Sequence, residues 1–242
     1  MRNPWSHRAC VAAVAALVLS GSVGSSAQST WLTQTTPHFE IFYERQWADR
    51  IDRVAVEAEQ AYSRIAADLR VELPARVPLI VVSGERDLPK SRAAATALVL
   101  ESGAPARDHL LVALNPSEQR QASLTHELTH HFTWELTPPD REAVPAWLHE
   151  GLSEYERVRW TGSTSPARTY SSVPAISQIA NSDRDSSRRV FEFIADEYGT
   201  DGIRRYLTTL KNATTTGSAL EETFGFSQDE FDRAFQQYLR AH

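Results

Sequence analysis

Apolar residues recur every three or four positions between Trp47 and Leu69, with Ile51, Val54, Ala58, Ala61, Tyr62, Ile65 and Leu69 on one side. That period predicts a long amphipathic helix with one face on a core. A second helical stripe, Leu124, Leu128, Phe132 and Leu136, repeats every four residues. Its frame opens at Ser117, after Asn115-Pro116, and closes at Thr137-Pro138-Pro139. Proline there lacks an N–H and clashes with the preceding turn. Shorter runs read as strands: His38 to Glu44 alternates, while Val77 to Val82 and His109 to Leu114 are apolar. The third run suits an edge strand or an interior one equally well. Residues 84 to 107 are ambiguous, and Ala93 to Leu100 fits a helix or a strand. Residues 28 to 36 are polar and predict a loose leader. Residues 160 to 185 predict a loop with a short helix near Ile176, and the remainder reads as helical. Ser227 and Glu230 form a capping box for the last helix. The order predicts one α+β domain over residues 28–242, with a small mixed sheet against the 117–136 helix and a helical C-terminal lobe.

The chemistry lies on the second of these helices. His126-Glu127-Leu128-Thr129-His130 reads HExxH. Residues four apart on a helix are separated by only about 40° around its axis, so both imidazoles face one way. They point away from the Leu124–Leu136 stripe and are able to grip one metal ion from successive turns. Glu127 stands beside them, placed to hold a water without ligating. A catalytic zinc site takes three protein ligands and keeps one open position. Glu150 is the candidate third ligand, nineteen residues beyond His130. Pro145 suits the start of the helix that carries it. Glu154, four residues on, faces the same way and is placed to accept the remaining N–H of a ligating histidine. His131, His149, His38, His109 and His242 predict packing or surface roles, and Trp134 and Trp147 predict aromatic packing beneath the cleft.

The segments HELTHHF and PAWLHEGLSEY resemble the gluzincin metallopeptidases, particularly the bacterial peptidase MA-like group, with thermolysin-like ligand spacing. The likeness continues through Val190-Phe191-Glu192-Phe193-Ile194 and Ala219 to Gly225. It implies a zincin-like fold, zinc held by His126, His130 and Glu150, Glu127 as general base and acid, and a peptide or protein substrate. Relatives often carry a tyrosine or histidine that stabilises the oxyanion. The helix entry here, Asp183 to Arg188, offers no match, which leaves Tyr170 and Arg188 as candidates.

Composition narrows the setting. Arg2 and Arg8 precede an apolar run from Val11 to Leu19, and Ser25-Ser26-Ala27 offers small residues for cleavage. Residues 1–27 therefore read as a secretory signal peptide, and no later segment is apolar enough to span a bilayer. Cys10 is the single cysteine, so the mature chain has no disulfide. Export without disulfides points to a bacterial periplasm or a secreted enzyme. Arg2 and Arg8 aside, 23 basic residues face 31 acidic ones with no basic run, which excludes nucleic acid as a partner. Two other readings stay open: a non-catalytic binding or assembly module on a zincin fold, and a zinc hydrolase of a non-peptide amide such as cell-wall material.

Overall fold

Parity along three strands divides the interior in two. The computed structural model of the protein describes residues 30–105, 108–139, 144–162, 174–180 and 183–241; the signal-peptide reading lies outside them. Strands β1 (Trp31–Thr35), β2 (Phe39–Glu44), β3 (Val77–Val82) and β4 (Leu110–Ala113) form one sheet in the order β1-β2-β3-β4. β1 and β2 are antiparallel, and the other two pairings are parallel. Side chains alternate between sheet faces along a strand. Phe39, Ile41, Val77, Leu79, Val81, Leu110 and Val112 thus enter the main core, while Phe42, Ile80 and half-buried Leu111 join a smaller cluster with Trp31 and Val99. β3 is buried along its whole length, as an interior parallel strand requires.

Eight α-helices complete the described architecture: α1 (Ala48–Leu69), α2 (Arg92–Ser102), α3 (Ser117–Leu136), α4 (Ala146–Thr161), α5 (Arg184–Tyr198), α6 (Thr200–Leu210), α7 (Thr216–Phe224) and α8 (Gln228–Ala241). The class is α+β, with a small sheet and a helical C-terminal lobe as expected. Two expectations need correcting or refining. Residues 28–36 are not wholly a loose leader, because Trp31–Thr35 pairs with β2 from Trp31↔Glu44 to Thr35↔Glu40. Only Trp31 of the five residues is buried and three of the others are polar, so local composition hid an edge strand. The ambiguous 93–100 segment is helical. Ser91 caps it by accepting from the Ala94 N–H at 3.2 Å, and Gly103, at φ 74°, ends it.

α3 is anchored to α1 at its start and braced along its own backbone further on. At its start, Arg120 grips Glu57 of α1 in a bidentate pair, Nε–Oε2 2.6 Å and Nη2–Oε1 2.9 Å, with both side chains buried. Ser117 donates to the same carboxylate and Arg120 Nη1 donates to the Asn115 carbonyl, each at 2.6 Å. Further along, Thr125, Thr129, Thr133 and Thr137 each donate a hydroxyl to the carbonyl four residues back, at 2.7–2.9 Å. Those back-bonds satisfy a line of buried hydroxyls without partners from other elements. Arg120→Ala strands the Glu57 carboxylate in the interior, so it should cost about 3–5 kcal/mol. The double variant Glu57→Leu/Arg120→Leu should recover most of that loss in urea melts. A double variant no more stable than Arg120→Ala alone would refute this account of the cost.

A second buried carboxylate lies where α4 meets α1. Glu156 is 1% exposed, and Trp160 Nε1 donates to it at 3.0 Å and to Asp68 at 3.1 Å. Burial, then the neighbouring Asp68 carboxylate, raises the Glu156 carboxyl from its ordinary 4.5 to about 8. The folded chain holds that proton where the unfolded chain has released it. The resulting stabilisation is full below pH 4.5 and is lost as pH rises through about 8. Glu156→Gln should therefore be more stable than wild type above pH 8, by on the order of a few kcal/mol, with the gap closing towards pH 4.5. Urea melts across that range test this; a gap independent of pH would contradict it.

Candidate metal centre

α3 and α4 bring the metal-site residues together. On α3 the stripe Leu124, Leu128 and Phe132 is fully buried, which turns His126 and His130 towards α4 and leaves Glu127 exposed in the cleft. Pro145 precedes the first turn of α4 instead of occupying it. Gly151 lies against α5, where an added Cβ would fall 2.4 Å from the Ser187 carbonyl oxygen. A side chain there would push the two helices apart beside Glu150, so close packing explains the glycine that follows this glutamate.

His126 Nε2 lies 3.6 Å from Glu150 Oε2, and His130 Nε2 lies 3.8 Å from Glu150 Oε1. The ligand atoms of all three residues fall within 4.8 Å of one another, the one such His/Cys/Asp/Glu group among the described residues. Ligands about 2.05 Å from a tetrahedral zinc are about 3.3 Å apart, so these gaps suit such an ion after a small contraction. Glu150 Oε2 is sealed from solvent and accepts no hydrogen bond, although Arg184 Nε lies 3.2 Å away. A carboxylate whose two oxygens each face an imidazole nitrogen, one of them accepting no hydrogen bond, fits a cation.

The rings are held from behind by α4. His126 Nδ1 is 3.0 Å from Glu154 Oε1, and the Ser153 hydroxyl is 3.2 Å from His130 Nδ1. Glu154 is itself clamped by Arg157, whose Nε and Nη2 lie 2.8 and 2.6 Å away. Burial pushes the Glu154 carboxyl up, but the contacts with His126 and Arg157 outweigh it and bring the carboxyl down to about 2. Burial, then the charges of nearby His126, His149 and Arg184, brings the His130 imidazole down to about 3. His130 is thus neutral over the ordinary pH range, the form that ligates. Glu154 sits behind His126 as its spacing predicts, within ion-pair distance of Nδ1, whereas the contact of Ser153 with His130 was not anticipated. Its place three residues after Glu150 on the same helix face was the available signal.

The site opens into a cleft of about 640 Å³ walled by α2, the start of β4, α3 and α4. β4 pairs with β3 alone among the described strands, which makes it an edge. His109, His131 and His149, for which packing or surface roles are expected, all line the cleft. The His149 ring is 5.3 Å from His130 and 5.1 Å from Trp134, and burial lowers its pKa. Trp134 lies nearly parallel to His130 at 6.2 Å and forms cleft wall, while Trp147 packs in the core against Phe191. Of the oxyanion candidates, Tyr170 lies outside the described residues. Arg188 is engaged by Asp185 at 2.7 Å and by Glu192, away from the residues that line the cleft. Arg184, which motif reading did not single out, is the guanidinium that reaches the site. It is half exposed, and its Nη1 lies 3.7 Å from Glu154.

Two histidines one helical turn apart, a glutamate between them in sequence and a carboxylate from the next helix form a cluster that could hold a metal ion, in the HExxH pattern. The Peptidase MA superfamily profile matches residues 58–241, and the chain belongs to that superfamily. The matched span includes α3, α4 and every residue of the proposed ligand set. Searches of curated proteins and of solved structures return no match.

Proposed function

We propose that the protein is a zinc metallopeptidase of the gluzincin type, with His126, His130 and Glu150 as ligands and Glu127 as the proton-transfer group. The observation that carries this is the convergence of three ligand atoms within 4.8 Å, with exposed Glu127 beside them in the same cleft. When bound, zinc supplies Lewis acidity and brings the pKa of a coordinated water towards neutrality. Glu127 accepts a proton from the attacking water and passes it to the leaving amine. Ser153 and Glu154 fix the ring orientations of the two histidines. The exposed edge of β4 offers main-chain groups on which an extended peptide pairs, as a strand adds to a sheet. Export follows from the signal-like residues 1–27, and no described helix is long and apolar enough to cross a membrane.

Metal analysis of the purified protein, together with a peptide-library digest before and after chelation, tests the assignment. The expected result is one zinc per chain and cleavage that chelation abolishes and zinc restores. Zinc binding without peptide turnover would favour the binding-module reading, or, with activity on peptidoglycan fragments, the cell-wall amidase.

A further inference from the structure

α2 has the wrong outer surface for a helix at the edge of a protein. Seven of its eleven residues are apolar: Ala93, Ala94, Ala95, Ala97, Leu98, Val99 and Leu100. A surface helix ordinarily pairs one apolar stripe with a polar face. Here Val99 and half-buried Leu98 already supply the stripe, packing with Trp31, Phe42 and Ile80 on the far side of the sheet. The apolar surface nevertheless continues past that contact. Leu100 is 75% exposed, the more exposed of two large hydrophobic residues left on the surface among the described residues. Leu100, Val99, Thr96 and Ala95 form a wall of the same cleft that holds Glu127, His130 and Glu150. An exposed apolar patch continuous with a reaction centre marks a ligand surface.

The cleft also indicates which ligand group meets that wall. Among the described lining residues the carboxylates are Glu127 and Glu150 at the metal site and Asp108, while the α2 wall offers Ala95, Thr96, Val99 and Leu100, so a charged substrate side chain loses hydration against that wall without gaining a partner. A peptide paired along β4 projects alternate side chains to opposite sides of the sheet. The wall therefore reads one residue of the substrate and skips its neighbours. Resting on the peptidase reading, we propose that α2 is the selectivity surface of the site. It receives a large aliphatic or aromatic side chain close to the scissile bond, and Leu100 sets that preference.

The test compares peptides differing at one position, Leu, Asp or Lys, in cleavage by zinc-loaded enzyme and in equilibrium binding to zinc-loaded Glu127→Gln. Wild type should favour the Leu peptide in both measurements. Leu100→Asp should lower the Leu-to-Asp preference in kcat/KM on the order of ten-fold or more and shift it towards Lys. Leu100→Lys should shift it towards Asp, which a purely structural role for Leu100 would not produce. Zinc content and melting temperature should be unchanged in both variants, since the side chain is exposed. Identical side-chain profiles in wild type and both variants would overturn the proposal. So would a wild-type dimer that either charge variant dissociates without altering the profile, since the wall would then belong to a second copy. Should no peptide be cleaved by wild type, the peptidase reading fails by itself. The binding arm still decides on the wall, which is refuted if the Leu and Asp peptides bind alike.

Discussion

Glu127→Gln should leave zinc content at the wild-type level and reduce peptide turnover by on the order of 10²–10⁴-fold. The two effects separate because Glu127 lies outside the ligand cluster yet lines the cleft. Its side chain is exposed, so the amide replaces it without burying a new polar group and without disturbing α3. Glutamine retains the size and hydrogen-bonding reach of glutamate but cannot take up a proton from water. The loss should fall on kcat, with peptide affinity close to wild type, because the group acts on a proton in flight and not on the bound substrate. Inductively coupled plasma analysis and steady-state kinetics on one preparation provide both measurements. Wild-type turnover in this variant would remove Glu127 from the chemistry. Parallel loss of zinc and turnover would make it a ligand instead.

What could be read from the chain alone divides along the range of the interactions concerned. α3 was legible because its apolar period, its start after Pro116 and its stop at Pro138 all lie within twenty-odd residues. The pair His126 and His130 followed from helix geometry, and Glu150 and Glu154 from their spacing on the next helix. β1 was missed because a polar edge strand owes its existence to pairing with β2, which local composition does not encode. That three further histidines share the cleft was not legible for a similar reason. His109, His131 and His149 come from the start of β4, α3 and α4, and only the packing of those elements brings them to one cavity. Arg184 reaches Glu150 from α5 across 34 positions of sequence, and Glu57 meets Arg120 across 63. Helical periodicity identifies the buried face of such elements but says nothing of which charged residue it will meet.

Removing a ligand should cost more metal affinity than removing the group behind it, and the two helices allow the comparison within one site. Ser153→Ala and Glu154→Ala each take away a support that orients a histidine ring, while all three proposed ligands remain. Zinc affinity in these variants should fall by about 10–100-fold. Glu150→Gln and His130→Ala each remove a ligand of the three-residue set, and their losses should exceed that range. On the proposed assignment α3 supplies two ligands and α4 the third, so bound zinc should also tie these helices together and stabilise the fold. At a free concentration about 1,000 times the dissociation constant, the gain is about 4.1 kcal/mol. Thermal melts with and without chelator should therefore converge for Glu150→Gln and differ clearly for wild type. Chelated wild type and chelated Glu150→Gln should melt close together, since Glu150 accepts no hydrogen bond at its buried Oε2 and the Arg184 guanidinium beside it is exposed enough for water to replace the ion pair. Competition titration against a zinc-binding dye ranks the variants directly. If Glu150→Gln held zinc as tightly as wild type, the third ligand would have to come from elsewhere in the cleft, and the gluzincin assignment would fail with it.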